Sequence, residues 1–240
     1  MKAIEVEHVA VRYRPLVDGT PTLRRIVASA SHKRDDVVAL DDVSFSVERG
    51  EAFGVIGRNG AGKSTLMRVL ARTLRPDSGT VKISGETSTL LQLGVGFNPQ
   101  LSGRKNVYLG ALAMGMSRRE VESHYDEIVD FAELGEAMDR PLQTYSSGMM
   151  ARLAFSISMF MQASVFLVDE VLAVGDDHFK KKSRNAMRQM LEDAGTIVFV
   201  SHALPQVRDI CDRVMWLDRG NVRQIGPAED VIKEYQAEDD

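Results

Sequence analysis

Gly57-Arg58-Asn59-Gly60-Ala61-Gly62-Lys63-Ser64-Thr65 decides the fold of this chain. Two glycines flank four residues and are followed by Lys and Ser, and the context on both sides agrees with that pattern. Glu51 to Ile56 reads as a short apolar strand, while Leu66, Met67, Val69 and Leu70 carry a helical apolar face. Gly-rich turns also join strands to helices in dinucleotide folds and in plain tight turns; eight residues in register separate this turn from those. Backbone N–H groups of such a turn, aimed inward at a helix N-terminus, suit the crowded negative charge of a nucleoside triphosphate tail. The sequence therefore assigns ATP binding to Gly57, Asn59, Gly60, Ala61, Gly62, Lys63, Ser64 and Thr65. Lys63 sets a point charge against the β- and γ-phosphates, and the Ser64 hydroxyl is a ligand for Mg²⁺.

The rest of the composition permits this reading and removes others. With 240 residues and 44% hydrophobic content the chain is long enough for a proper α/β core without staples. A formal charge of −4 supplies no global basic field for nucleic acid. The single Cys211 excludes an internal disulfide and a multi-cysteine zinc site, and reads as a small buried hydrophobe. No run approaches the ~18 apolar residues of a membrane span, and the acidic, alternating Met1 to Val11 does not resemble a targeting segment. A cytoplasmic chain is expected.

In chain order, Ile4, Val6 and Val9 to Val11 predict an opening strand with Tyr13 near its end. Tyr13 is either a stacking platform for adenine or an amphipathic tyrosine closing a strand. Thr22 precedes Leu23, Ile26, Val27 and Ala30 at helical spacing, with Arg24, Arg25, Lys33 and Arg34 adding charge. That interval reads equally as a partner-facing or membrane-proximal helix and as a solvated excursion. Val38 to Val47 alternates as a strand that, with the next, feeds the phosphate loop; Pro76 to Gly79 is a turn and Val81 to Ile83 a strand. Between Leu93 and Tyr145 helices take over: Lys105 to Met114, then a capping box at Ser117 to Glu120 opening a helix to about Phe131. Ser146 or Ser147 caps a further helix through Ser164, and strands and helices then alternate again, from Val165 to a last helix that Pro227 opens in its first turn.

The second half of the site lies in that returning core. Val165 to Val168 is a buried strand ending in Asp169 and Glu170, where ligands of open α/β sheets gather. Asp169 would hold Mg²⁺ through its water shell, and Glu170 would orient and polarise the attacking water. Ile197 to Val200 delivers Ser201 and His202 to the same edge. A lone histidine at a strand end is more often structural, but after these two motifs His202 reads as a donor to the γ-phosphate. Gln92 follows the same plan, as a neutral side chain able to reach the metal or water.

Together these residues resemble the nucleotide-binding subunit of an ABC transporter. Tyr145-Ser146-Ser147-Gly148-Met149 is similar to the family's Leu-Ser-Gly-Gly-Gln signature, departing at three of five positions while keeping Ser146 and Gly148. Met149 stands where the usual glutamine would, and the departure leaves the helix N-terminus and its serine. The resemblance implies that Gln92, with Gln100 as the alternative, is the Q-loop residue, that Asp176 belongs to the D-loop, and that His202 is the switch histidine. It also implies an α/β fold with a P-loop NTPase (RecA-like) core, an antiparallel β subdomain and an inserted α-helical subdomain. One nucleotide-binding domain is expected over 1–240, with its core at about 1–91 and 165–240, helices at about 92–164, and no C-terminal carbohydrate-binding domain. The implied activity is hydrolysis of ATP to ADP and phosphate. The implied partners are a second copy packed head to tail, so that Ser146, Ser147 and Gly148 of one chain face nucleotide on the other, and an integral-membrane permease.

A subgroup is also legible. The Tyr-Ser-Ser-Gly-Met signature, Leu93-Gly94-Val95-Gly96-Phe97-Asn98-Pro99, Leu101 to Asn106 and the long interval after Tyr13 resemble bacterial polysaccharide exporters, which serve O-antigen, capsular polysaccharide, galactan or teichoic acid. A lipid-linked glycan as cargo, and a peripheral place on the cytoplasmic face of the bacterial membrane, follow as expectations. The rivals are another transporter class and a soluble ABC-type ATPase acting on nucleic acid or ribosomes, but the coiled-coil insertions, tandem domains and basic tails usual in the soluble type are missing from the sequence.

Overall fold

Strand β1 (Lys2–Tyr13) runs antiparallel to β2 (Val37–Glu48) on one side and to β4 (Ser78–Ile83) on the other, giving a three-stranded sheet. A second sheet holds β3 (Ala52–Ile56), β5 (Thr87–Thr89), β6 (Val165–Asp169), β7 (Thr196–Val200), β8 (Arg213–Asp218) and β9 (Asn221–Pro227) in the order β5-β6-β7-β3-β8-β9. All of its neighbours pair in parallel except β8 and β9. The computed structural model describes residues 1–14, 36–89, 94–161, 163–169, 177–192 and 195–239.

Sequence explains the difference between the sheets. Every residue of β3 and of β7 is buried, as strands covered on both faces must be, and apart from Thr196 at the start of β7 both read as continuous apolar runs. In β2 only Leu40, Val43, Phe45 and Val47 are buried, the signature of one covered face. Helix α1 (Lys63–Leu70) fills the space between the sheets. Its Leu66, Met67 and Leu70 are fully buried, in one cluster with Val6 and Val43 from the first sheet and Val55, Leu167 and Val198 from the second. Phe45 stacks on Phe53 across the gap, with centroids 5.3 Å apart.

The other face of the large sheet is covered by helices. Phe166, Phe199 and Trp216 meet Phe179 of α5 (Asp177–Glu192), Val207 of α6 (Leu204–Ile210) and Val231 and Ile232 of α7 (Ala228–Asp239). Cys211 is buried in this layer, and burial pushes its thiol far above the ordinary value, so it is an inert small hydrophobe as the sequence implies. A third core forms among α2 (Gly103–Ala113), α3 (Arg118–Ala132) and α4 (Ser147–Ser158), from Val107, Ala111, Val121, Ile128, Leu153 and Ile157. Helix α4 turns Leu153 and Ile157 into that core and Phe155 into the layer under the large sheet, so it ties the two together. The capping box is present: the Ser117 Oγ accepts from the Glu120 amide at 3.3 Å, and the Glu120 carboxylate accepts from the Ser117 amide at 2.7 Å.

Strand β2 pairs with β1 in the three-stranded sheet, where its single apolar face covers α1. Three local expectations need correction. The helix read through Ser164 stops at Ser158, where the buried hydroxyls of Ser156 and Ser158 donate back to the carbonyls of Arg152 and Phe155. Ser78 and Gly79 belong to β4 rather than to a turn. Pro227 closes β9, paired with Arg213, and the last helix begins one residue later. The candidate helix at Thr22 to Arg34 lies outside the described residues; its flanks meet, with Tyr13 paired to Val37.

Candidate nucleotide site

The loop between β3 and α1 is held in shape by contacts on three sides. Gly57 has φ 149, and a Cβ there would collide with the Leu217 carbonyl oxygen; Gly62, at φ 108, would drive a Cβ into the Ala39 carbonyl. Only glycine fits either position. The Ala61 amide donates to the Arg58 carbonyl at 3.1 Å, closing the turn. The Lys63 side chain is buried, and its ammonium donates to the carbonyls of Gly57 at 2.5 Å and Arg58 at 2.9 Å. A buried ammonium needs such acceptors, and here they hold the charge inside the turn of the loop.

Outside the loop, the β8–β9 turn braces it. The Gly220 amide donates to the Ala61 carbonyl at 2.9 Å, and the Gly220 carbonyl accepts from the Asp41 amide at 2.8 Å. One residue therefore links the loop to β2. Leu217 and Gly220 belong to no nucleotide-binding motif; the turn chemistry of Asp218-Arg219-Gly220-Asn221 between two apolar runs is their trace in the sequence. Ser64 is exposed on the first turn of α1, and Thr65 beside it is buried. The Tyr13 hydroxyl lies 3.4 Å from the Thr65 Oγ1, so the half-exposed ring stands at the rim of the loop.

Strand register brings the other candidates to the same edge. Val200 of β7 is level with Val55 of β3 on one side and with Asp169 of β6 on the other. Gly57, Asp169 and His202 therefore lie at or just past the carboxyl ends of three adjacent strands, where parallel sheets present their ligand sites. His202 is exposed, and its carbonyl accepts from the Leu204 amide at 3.1 Å as the chain turns into α6. Gln92, Glu170 and Asp176 fall outside the described residues, and Asp169 is described through its backbone alone.

The signature stretch sits apart, on the helical layer. Ser146 caps α4: its Oγ accepts from the Met149 amide at 3.2 Å, which leaves the hydroxyl proton free to donate outward. Ser146 and Ser147 are exposed. Gly148 is the informative residue. The closest described group to a Cβ placed on it is the Ser146 Oγ at 3.8 Å, so no described residue excludes a side chain there. A glycine without a local cause on the exposed first turn of a helix leaves a flat surface around orphan N–H groups.

A family profile described as ABC transporter matches residues 40–173. The O-antigen export system ATP-binding protein RfbB of Klebsiella pneumoniae is 45% identical over 199 residues, covering 83% of this chain and 81% of that protein. The teichoic acids export ATP-binding protein TagH of Staphylococcus saprophyticus is 36% identical over 234 residues, covering 98% and 88%. Among solved structures, an ATP-binding subunit of an ABC transporter superposes with a TM-score of 0.77 at 21% identity, covering 98% of this chain and 93% of that one. A dimeric ATP-binding cassette in a post-hydrolysis state with ADP and Pi superposes at 0.74 with 20% identity, covering 94% and 98%.

Proposed function

This chain belongs to the ABC transporter family, and on that premise we propose that it is the ATP-hydrolysing subunit of an exporter of a lipid-linked polysaccharide. The observation that carries the ATPase reading is the shared sheet edge: a glycine-locked phosphate loop, an acidic strand end and a histidine-bearing strand end, level with one another. The names of the O-antigen and teichoic acid export relatives support the class of cargo.

In this reading the loop amides from Gly57 to Thr65 cradle the phosphates. The Lys63 ammonium exchanges the Gly57 and Arg58 carbonyls for β- and γ-phosphate oxygens, a short movement within one loop. Tyr13 stacks on adenine from the rim. Glu170 orients the attacking water and takes its proton, His202 donates to the γ-phosphate, and Gln92 is a neutral side chain able to reach the metal or the water. Ser64 on α1 and Asp169 on β6, with Gln92, fit Mg²⁺: a hydroxyl, one carboxylate and an amide suit a hard cation that keeps several of its waters. Bound there, Mg²⁺ supplies countercharge to the phosphates.

The second half of the site comes from another copy. Exposed Ser146 with a free hydroxyl proton, and Gly148 with no local steric cause, support a head-to-tail dimer in which Ser146, Ser147 and Gly148 approach the partner's γ-phosphate. Asp176 would lie beside that junction. One domain then spans 1–240, its core at about 1–91 and 165–240 and its helices at about 92–164. Among the described residues no helix is long and apolar enough to cross a membrane. In this reading a separate permease forms the membrane path, with this subunit on its cytoplasmic face.

The test is phosphate release by the purified chain. Glu170→Gln is expected to keep ATP binding and slow hydrolysis by roughly 10²-fold or more, the scale of a lost general base. Unchanged release would remove Glu170 from the role. For the cargo, detergent copurification with a helical membrane protein, and lipid-linked glycan retained inside cells that lack the chain, are the expected results. Loss of the chain without glycan retention would leave an ATPase of another transporter class.

A further inference from the structure

Tyr145 is buried although it immediately precedes the exposed Ser146. Its hydroxyl donates to the Ala137 carbonyl at 2.6 Å, in the short 3-10 helix Gly135–Asp139. On the way it passes Gly103, the first residue of α2, where a Cβ would collide with that hydroxyl and lie 3.2 Å from the Met138 Cα. The φ of Gly103 is not positive, so close approach rather than backbone conformation calls for glycine here. Backbone bonds frame the same spot: the Gly103 amide donates to the Arg140 carbonyl at 3.2 Å and the Tyr145 amide to the Leu142 carbonyl at 2.9 Å.

Resting on the head-to-tail reading above, we propose that Tyr145 is a positioning residue for the composite nucleotide site. Its hydroxyl, clamped between Ala137 and Gly103, fixes the height and direction at which Ser146 and the N-terminus of α4 meet the nucleotide held by a second copy. A leucine at this position, as in the typical family signature, fills volume but supplies no directional bond. The tyrosine ties the start of α4 to the 3-10 helix after α3 through one short link of fixed length. Burial pushes the phenol above its ordinary value, so it stays a proton donor across the neutral range. Groups that meet a reacting centre must be held closely, since a misplacement of about 1 Å costs about 10²-fold.

The experiment uses the full chain. In a Glu170→Gln background, Tyr145→Phe is expected to weaken ATP-dependent dimer formation by about three- to tenfold, the worth of one buried hydrogen bond. In the hydrolysing chain kcat falls by a similar factor, while KM for ATP and single-chain nucleotide affinity stay within about twofold. Gly103→Ala is expected to weaken the dimer more in the Tyr145 chain than in Tyr145→Phe, because the hydroxyl it meets has gone. Equal dimer formation by Tyr145→Phe and its parent, or a loss mirrored in single-chain affinity, overturns the proposal. So does a Gly103→Ala effect that is independent of the hydroxyl. A parent that stays monomeric with ATP overturns the head-to-tail reading and this proposal with it.

Discussion

The Leu217 carbonyl oxygen occupies the space that a Cβ on Gly57 would need, so the end of β8 is moulded against the first residue of the phosphate loop. Gly57→Ala must displace backbone rather than a side chain, and at φ 149 it also strains its own. Each effect costs about 1–3 kcal/mol. We expect a clear fall in Tm together with loss of ATP binding in calorimetric titration. A variant that binds ATP like the parent would show that the loop tolerates a different path past Leu217.

Tyr13 stands at the rim, with its hydroxyl 3.4 Å from the Thr65 Oγ1. If the ring stacks on adenine, Tyr13→Ala weakens ATP binding by about 1–3 kcal/mol, the usual range for a base on an aromatic face. Tyr13→Phe keeps the face and is expected to bind within about twofold of the parent. Affinity unchanged in the alanine variant would return Tyr13 to the role of a strand-closing residue.

What was legible in the sequence shares a physical cause. The phosphate loop, the Ser117 to Glu120 capping box and the apolar strands are local: a few neighbouring residues determine their geometry. The sheet edge was legible because parallel strands bring their carboxyl ends level, so Asp169 and His202 could be assigned to one edge without knowing strand order. Alternation in β2 gave its buried face but not its sheet, since period-2 patterning is blind to the partner strand. Gly103 and Tyr145 meet only through tertiary packing, and neither residue alone announces the other. The bracing of Ala61 by Gly220 is a backbone bond between distant segments, which side-chain identity does not encode.

Glu133 supplies a test by pH. It follows α3 in the left-handed region, at φ 51, and its carboxylate accepts from Lys182 of α5 at 2.5 Å and Arg152 of α4 at 3.2 Å. The hydrogen bond from Lys182 is the main reason its carboxyl lies below the ordinary 4.5, with lesser attraction from Lys182, His178 and Arg152. A depressed folded value means stability that is present above the unfolded value and lost as pH falls through the folded one. Glu133→Gln should therefore melt about 2–4 °C lower near neutral pH, for a screened network worth about 1 kcal/mol. The gap should narrow as pH falls below 4.5, through the depressed folded value. Thermal melts across pH check this; a gap of constant size would mean that Glu133 acts through packing instead of charge.

Ser146 has two roles that can be separated. Within its own chain it caps α4 by accepting from the Met149 amide at 3.2 Å, and loss of a cap costs about 1 kcal/mol. Toward a second copy its hydroxyl would donate to a γ-phosphate, a charged hydrogen bond worth about 1.5–3 kcal/mol. Alanine removes both, so it cannot tell them apart. Aspartate can: its carboxylate still caps the helix and favours the positive N-terminal end, yet it sets negative charge against the phosphate. In a Glu170→Gln background, Ser146→Asp is expected to keep the parent's Tm and single-chain ATP affinity while abolishing the ATP-dependent dimer. Ser146→Ala should lose both some Tm and one to two decades of dimer. Light scattering with ATP, beside melts and nucleotide titration, reads all three quantities. An aspartate variant that dimerises as its parent does would confine Ser146 to capping its own helix, and the composite site would need another donor.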